Sequence, residues 1–240
     1  INGKKGIGIF VEDGSSGNNK LKLINSSKIN LLDSATKSDR KIAIMLKNTR
    51  NTDNLTSEKI VVGKNNIGIY NDSSIITHTG TLEVKHNEAG TENIGTHNTG
   101  NGFKFIVKKV GTKPGLVDVE GQNGTIGISA VTGAAGSGEI SLIDATFNIN
   151  APDKDSGKIP LGIYGEGNNI LVSSTGANAT KFTVSPNAIG MYIKGNNTSK
   201  INGLYDFGLS SENTKDSMGI GAYLTGGVYF TTGTNKLKMT

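Results

Sequence analysis

The sequence predicts an all-β solenoid, a parallel β-helix of about eight coils with essentially no helix. Three observations predict it. A four-residue signature recurs eight times at a loosely kept period. The runs between its copies are short, rich in β-type residues and bounded by turn formers. No window of about 11 residues or more carries a convincing 3.6-residue apolar period.

The copies are Ile7-Gly8-Ile9-Phe10, Ile42-Ala43-Ile44-Met45, Ile67-Gly68-Ile69-Tyr70, Ile94-Gly95-Thr96-His97, Ile126-Gly127-Ile128-Ser129, Leu161-Gly162-Ile163-Tyr164, Ile189-Gly190-Met191-Tyr192 and Ile220-Gly221-Ala222-Tyr223. Their starts are 35, 25, 27, 32, 35, 28 and 31 residues apart. One copy cannot bury its own apolar face, so neighbouring copies must stack. Strand side chains alternate, so positions one and three share a face. Mostly Ile, Leu or Met, they are expected in the core, with positions two and four outward. Position two is Gly in seven of the eight copies.

Strand-type runs fill the intervals in chain order: Lys20–Ile24, Lys59–Val62, Thr81–Val84, Phe103–Val107, Glu139–Ile143, Ile170–Ser173 and Lys181–Val184. Each is bounded by Gly, Asn, Asp or Ser. A β-sandwich would explain short, closely spaced strands but not a common motif. Propeller blades run to about 40 residues or more with an aromatic signature. Two or three strands per interval make each interval one coil, and eight coils at about 4.8 Å give a rod on the order of 40 Å long. The last run, Lys236-Leu237-Lys238-Met239-Thr240, reads as another strand. Residues 1–240 are therefore expected to form a single β-helix segment of a longer protein, with repeats starting at 7, 42, 67, 94, 126, 161, 189 and 220.

Composition agrees. Gly numbers 34 and Pro only 4, and 27 Asn occur, several as Gly/Asn clusters such as Gly167-Asn168-Asn169. Both residues tolerate the positive φ of tight turns. A hydrophobic fraction of 34% without Trp suits a thin, elongated core. The lack of cysteine excludes a disulfide scaffold and thiolate metal sites, and it suits a protein exported through a periplasm. No run approaches the roughly 18 apolar residues that cross a bilayer, so membrane insertion by this segment is not expected. The net charge of +5 comes from 23 Lys and 2 Arg against 20 acids. Nucleic-acid readers cluster Arg. Dispersed lysines fit strand-edge protection instead, and no nucleic-acid partner is expected.

Chemistry-bearing motifs are sparse. The three histidines, His78, His86 and His97, form no zinc-binding pattern. Asp153-Lys154-Asp155-Ser156-Gly157 has alternating oxygen donors, yet Lys158 and Tyr164 replace the Gly and Glu of a calcium loop. Gly136-Ser137-Gly138 lacks the spacing of a nucleophile elbow and reads as a flexible loop tip. Glu166, Asp206 and Glu12-Asp13 fall in turns after strands, with nothing to gather them into a glycosidase pair. No catalytic residue, metal or cofactor is expected.

Position four reads Phe10, Met45, Tyr70, His97, Ser129, Tyr164, Tyr192, Tyr223. If the coils stack in register, Tyr164, Tyr192 and Tyr223 form a ladder, and with Tyr70 they are the candidate binding residues. Stacked rings could simply stabilise the face, by roughly 0.2–1 kcal/mol per cross-strand pair. The second reading is a platform for sugar rings or a partner protein. The longest irregular stretches, Thr49–Glu58, Asn87–Gly102 and Ala145–Lys158, are the expected binding loops.

The repeated strand in Asn/Gly/Lys/Thr-rich text without cysteine resembles the passenger region of large fusobacterial autotransporter adhesins, most clearly at Asn66-Ile67-Gly68-Ile69-Tyr70-Asn71 and Ala188-Ile189-Gly190-Met191-Tyr192. The resemblance implies a right-handed β-helix stalk outside the cell, tethered to the outer membrane through a C-terminal barrel that lies beyond this segment. It implies attachment to host or other-bacterial surfaces through a receptor protein or a glycan. The leading expectation is thus a monomeric, non-enzymatic adhesin segment. The alternatives are a β-helical polysaccharide lyase or glycosidase, which needs acids clustered on neighbouring coils, and a purely structural stalk.

Overall fold

The structure, a computed structural model, describes residues 6–12, 28–49, 59–86, 92–121, 124–152, 159–195, 198–210, 218–230 and 236–239. They wind into a β-solenoid whose strands fall on three faces. The first face carries the signature: β1 (Gly6–Glu12), β3 (Lys41–Lys47), β5 (Ile67–Asp72), β8 (Asn93–Thr99), β11 (Thr125–Val131), β14 (Leu161–Gly167), β17 (Ile189–Gly195) and β19 (Ile220–Thr225), stacked in that order. The second holds β6 (Ile75–His78), β9 (Phe103–Lys108), β12 (Gly138–Ile143) and β15 (Ile170–Thr175). The third holds β2 (Lys28–Leu31), β4 (Lys59–Val62), β7 (Thr81–His86), β10 (Leu116–Gly121), β13 (Thr146–Asn150) and β16 (Thr180–Val184). The long strand β18 (Lys200–Leu209) joins the last two faces, pairing with β15 through its first half and β16 through its second. β20 (Tyr229–Phe230) and β21 (Lys236–Met239) stack on those two halves.

Every strand pairing is parallel; the antiparallel bridge Val110↔Lys113 lies in a corner loop. Among the described residues one 3-10 turn, Lys37–Asp39, is the only helical piece, and no helix is long and apolar enough to cross a membrane. Six turns show strands on all three faces, with two more first-face rungs ahead of them, so the expected eight coils correspond to eight rungs but six complete turns. The run Lys20–Ile24 lies outside the described residues. Two stretches expected to be loops contain strands instead, β8 within Asn87–Gly102 and β13 within Ala145–Lys158. Phe147 and Ile149 of β13 alternate with Asn, an apolar-in, polar-out strand masked by its turn-forming neighbours.

The core is a set of side-chain columns running along the rod. On the third face Ile29, Ile60, Leu82, Val117, Phe147, Phe182 and Phe207 are successive register partners. The phenylalanines stack at 4.5 and 4.7 Å between ring centres. Offset stacking at this distance adds to the burial of three large rings. On the second face Phe103 covers Gly138 of the next turn, where a Cβ would fall 2.1 Å from the ring. The segment Gly136–Gly138 is therefore packed at its C-terminal end, not the flexible tip its composition suggests.

The signature strand departs from simple alternation. A Cβ at Gly68 would lie 2.5 Å from the Gly95 carbonyl oxygen and 2.8 Å from Val62 Cγ2. Gly95, Gly127 and Gly162 show the same pattern, each against the next rung's glycine oxygen and a third-face aliphatic. Position two thus points inward, and Ala43, the one non-glycine, is buried in the core. In all seven steps the register pairs positions one, three and four and omits position two. Position three also faces inward, as Ile44, Ile69, Ile128 and Ile163 do. Position one consequently stays outside the central core cluster, a correction in part to the expectation that positions one and three share the interior. Ile7 and Ile220 are exposed at the end rungs and Ile42, Ile126 and Leu161 are part-exposed, whereas Ile67, Ile94 and Ile189 are buried as expected but stand outside the core cluster.

Part of the polar interior is paired, while Thr49 Oγ1, Asn71 Oδ1 and Thr79 Oγ1 are buried without a partner. Asn71 donates to Asn98 Oδ1 at 2.9 Å, and Asn98 in turn donates to Thr96 Oγ1 and Ser129 O. At the corner before the first face, Asn66 Oδ1 accepts from Lys41 N and Ser34 Oγ. Hydrogen bonds offset much of the cost of burying an amide, although Asn71 engages only its Nδ2 and leaves Oδ1 unpartnered. The corner between the second and third faces is spanned by 2, 7, 2 and 4 residues in successive turns and by none in β18. There Gly203, at φ +109, turns the strand from one face to the other.

Two expectations follow. Replacing Gly127 by Val forces a side chain against Gly162 O, Val117 and Val119, and should cost about 1–3 kcal/mol in urea denaturation. The control Gly133→Ala, with nothing within 4 Å, should leave the midpoint unchanged. His78 is fully buried and shares its register column with Val107 and Leu142. Burial pushes its imidazole down to about 4. Between pH 6.5 and 4 the unfolded chain takes up a proton that the folded chain refuses, so stability falls with pH by up to roughly 3 kcal/mol. Comparing acid melting curves of wild type and His78→Leu should show that this portion of the slope is lost in the variant.

Candidate functional site

Register turns the fourth signature position into one continuous column on the outside of the first face: Phe10, Met45, Tyr70, His97, Ser129, Tyr164, Tyr192, Tyr223. The expected tyrosine ladder is present. Tyr164 and Tyr192 meet edge-on at 5.7 Å between ring centres, and Tyr192 and Tyr223 are tilted at 5.2 Å. Tyr70 is set apart from them by two rungs and contacts the His97 ring at 5.3 Å. Tyr70, Tyr164 and Tyr192 are half-buried, and Tyr223 is exposed. The column is thus both a packing element and an accessible surface.

Its continuity breaks at Ser129. Around the break lies a groove of about 360 Å³. Position-one side chains Ile67, Ile94 and Ile126 form one side, and Tyr70, His97, Ser129 and Tyr164 the other. The outward turn of position one supplies that apolar wall. Arg40 and Glu92 stand at its edge, joined by a short ion pair, and Lys37 reaches the same carboxylate at 3.0 Å. Burial opposes the charge of Glu92, but Lys37 and Arg40 more than offset it and hold the carboxyl below its usual range. Arg40 Nε is buried with no hydrogen-bond partner.

His97 Nδ1 lies 3.2 Å from Ser129 Oγ. Burial, with the Arg40 charge adding to it, keeps its pKa below the usual histidine range, and Glu92 opposes the shift. The ring is therefore neutral at physiological pH. Beyond the groove the Tyr164 hydroxyl donates a short hydrogen bond to Glu166, which also pairs with Lys194 at 2.9 Å. Burial first, then that hydrogen bond and the nearby charge, push the Tyr164 phenol well above its usual value.

Of the acids singled out from sequence, Asp13 lies outside the described residues and the others are not gathered. Glu12, Glu166 and Asp206 belong to strands β1, β14 and β18, not to turns. Glu12 pairs with Lys47 and Glu166 with Lys194 across neighbouring rungs. A different group is brought together on the third face, where Glu83 and Asp118 are register neighbours and Glu120 follows two residues later. Lys59 pairs with Glu83, while Lys85 lies 3.4 Å from Asp118 and 3.3 Å from Glu120. Each of the three carboxylates thus contacts an ammonium. Asp153–Gly157 and most of Thr49–Glu58 lie outside the described residues. Among those described, no three His, Asp or Glu side chains are placed to hold a metal ion.

Arg40 and Glu92 were missed by sequence reasoning because they are 52 residues apart and share no motif. The gap at Ser129 was visible, since it interrupts an otherwise bulky column. Compared with protein-family models, curated proteins and solved structures, the chain matches none. If the ring contacts stabilise the face, Tyr192→Ala, which removes two of them, should cost about 0.4–2 kcal/mol. Tyr223→Ala, which removes one, should cost about half as much in the same urea titration.

Proposed function

We propose that this chain is a non-enzymatic segment of a cell-surface adhesin, a β-solenoid rod whose outer first face binds a host or partner-cell surface. The observation that carries this reading is the in-register aromatic column, half-exposed along several turns and flanked by a groove with a polar edge. Rigid tyrosines supply large contact areas at low cost in side-chain entropy. A parallel ladder fixes their spacing, so a partner meets an array set by the backbone. Display outside the cell, tethering to an outer membrane and action as a monomer complete the proposal.

The test is direct adhesion. The purified chain should bind intact host or bacterial cells, and Tyr164→Ala/Tyr192→Ala should weaken that binding about tenfold or more. Equal binding by the double variant would remove the aromatic face from the proposal, and no binding by either would favour a structural stalk. A second reading, polysaccharide cleavage, is favoured by one observation: Glu83, Asp118 and Glu120 lie on adjacent turns. Their pairing with Lys59 and Lys85 weighs against it, since a glycosidase needs one carboxyl kept as an acid. Release of reducing ends or unsaturated sugars from polysaccharides, abolished by Asp118→Asn, would establish cleavage.

A further inference from the structure

We propose that a notch at the corner between the second and third faces is a binding site for an acidic sugar. It lies outside the first face, and nothing about it depends on the binding role given to that face.

The notch follows from corner length. Successive turns cross this corner with seven residues (109–115), two (144–145) and four (176–179). The short corner is recessed between two longer ones, and the recess is a cavity of about 310 Å³, at the small end of ligand sites. Both walls are held in place. In the seven-residue corner Val110 and Lys113 exchange backbone hydrogen bonds at 3.1 and 3.0 Å around Gly111, at φ +58. In the four-residue corner Asn178 donates from its backbone N and from Nδ2 to Asp144 Oδ1, at 2.7 and 3.2 Å. Gly176, at φ +122, leaves room for that carboxylate, since a Cβ there would lie 2.7 Å from Asp144 Oδ1.

The lining selects the chemistry. Lys109 stands on one wall and Lys181 on the other. Neither ammonium forms an ion pair among the described residues, although Asp206 is the register neighbour of Lys181. Lys47, Lys59, Lys85, Lys104 and Lys194, by contrast, each meet a carboxylate. The floor between the two lysines presents Asp144 and Thr146. Asn178 engages only Oδ1 of Asp144, so Oδ2 is left to accept. A matching ligand therefore carries an anionic group for the lysines and O–H donors for Asp144. An acidic sugar brings both on one small rigid ring, as a carboxylate or sulfate beside several hydroxyls. Its C–H face meets the apolar surfaces of Pro114 and Ala179. A bare sulfate or an acidic side chain of a peptide would meet Asp144 as a like charge, with no hydroxyl to offer it.

The test is calorimetric titration of the full chain with sialyllactose, oligogalacturonate and a sulfated lactose, against plain lactose. Binding of an acidic probe without binding of lactose is expected, and the probe that binds shows whether carboxylate or sulfate is recognised. Lys109→Ala/Lys181→Ala should weaken that binding about tenfold or more with an unchanged melting temperature. Lys28→Ala/Lys200→Ala removes the same charge from two exposed lysines elsewhere and should leave the affinity unchanged. Asp144→Asn keeps an oxygen for Asn178 and tolerates the positive φ of this position, yet should also weaken sugar binding. No binding by any acidic probe, equal losses in both lysine pairs, or tighter binding by Asp144→Asn would overturn the proposal. Poly-glutamate bound as tightly as the sugars through the same lysines would identify an acidic protein segment and overturn it too. Sugar binding lost in Tyr164→Ala/Tyr192→Ala and kept in Lys109→Ala/Lys181→Ala would place the ligand on the first face. That result would sink the notch and leave the binding role of the first face standing.

Discussion

The close approach of glycine backbones at the second signature position is the constraint on which the rest of this solenoid depends. At Gly68, Gly95, Gly127, Gly162 and Gly190 the rung brings its Cα within reach of the next rung's carbonyl oxygen and of the third-face side-chain columns opposite. A side chain larger than Ala43 has no room. Because positions two and three both face inward, the strand breaks its alternation once per rung. That break turns position one outward and places it beside position four. The groove on the first face is a by-product of how the core closes.

Ordinary in-register stacking then converts every sequence choice into a column. Phenylalanines meet phenylalanines on the third face, and Asn71 meets Asn98 inside the first. Opposite charges meet at Glu12 and Lys47, Lys104 and Glu139, and Glu166 and Lys194. Exposed pairs of this kind contribute little singly. Their arrangement across rungs still favours the correct register, because a slipped rung would set unlike residues against one another.

Architecture was legible in the sequence because repetition is a long-range signal that needs no packing model. Register was legible with it: once copies stack, Tyr164, Tyr192 and Tyr223 have to be neighbours. Orientation within the signature was not. The alternation rule assigns Gly to the outside, where it would leave space beside a ring, yet glycine is there because the inside has none. The tolerated substitution, Ala43, was the available hint, since an outward position would admit larger residues. Arg40 and Glu92 were hidden for another reason, because a bridge spanning two rungs depends on coil path and not on any local pattern. The trio Glu83, Asp118 and Glu120 was likewise scattered in sequence and gathered only by winding.

The corner between the second and third faces spans seven residues in one turn, two or four in others, and none in β18, while the strands on either side keep their register. Length there is decoupled from the ladder. Such a corner can gain or lose residues across evolutionary time without disturbing the columns, so diversity can accumulate at one edge of the rod while its interior stays under a rigid steric rule. For engineering, the same corner is the natural place to graft a foreign epitope.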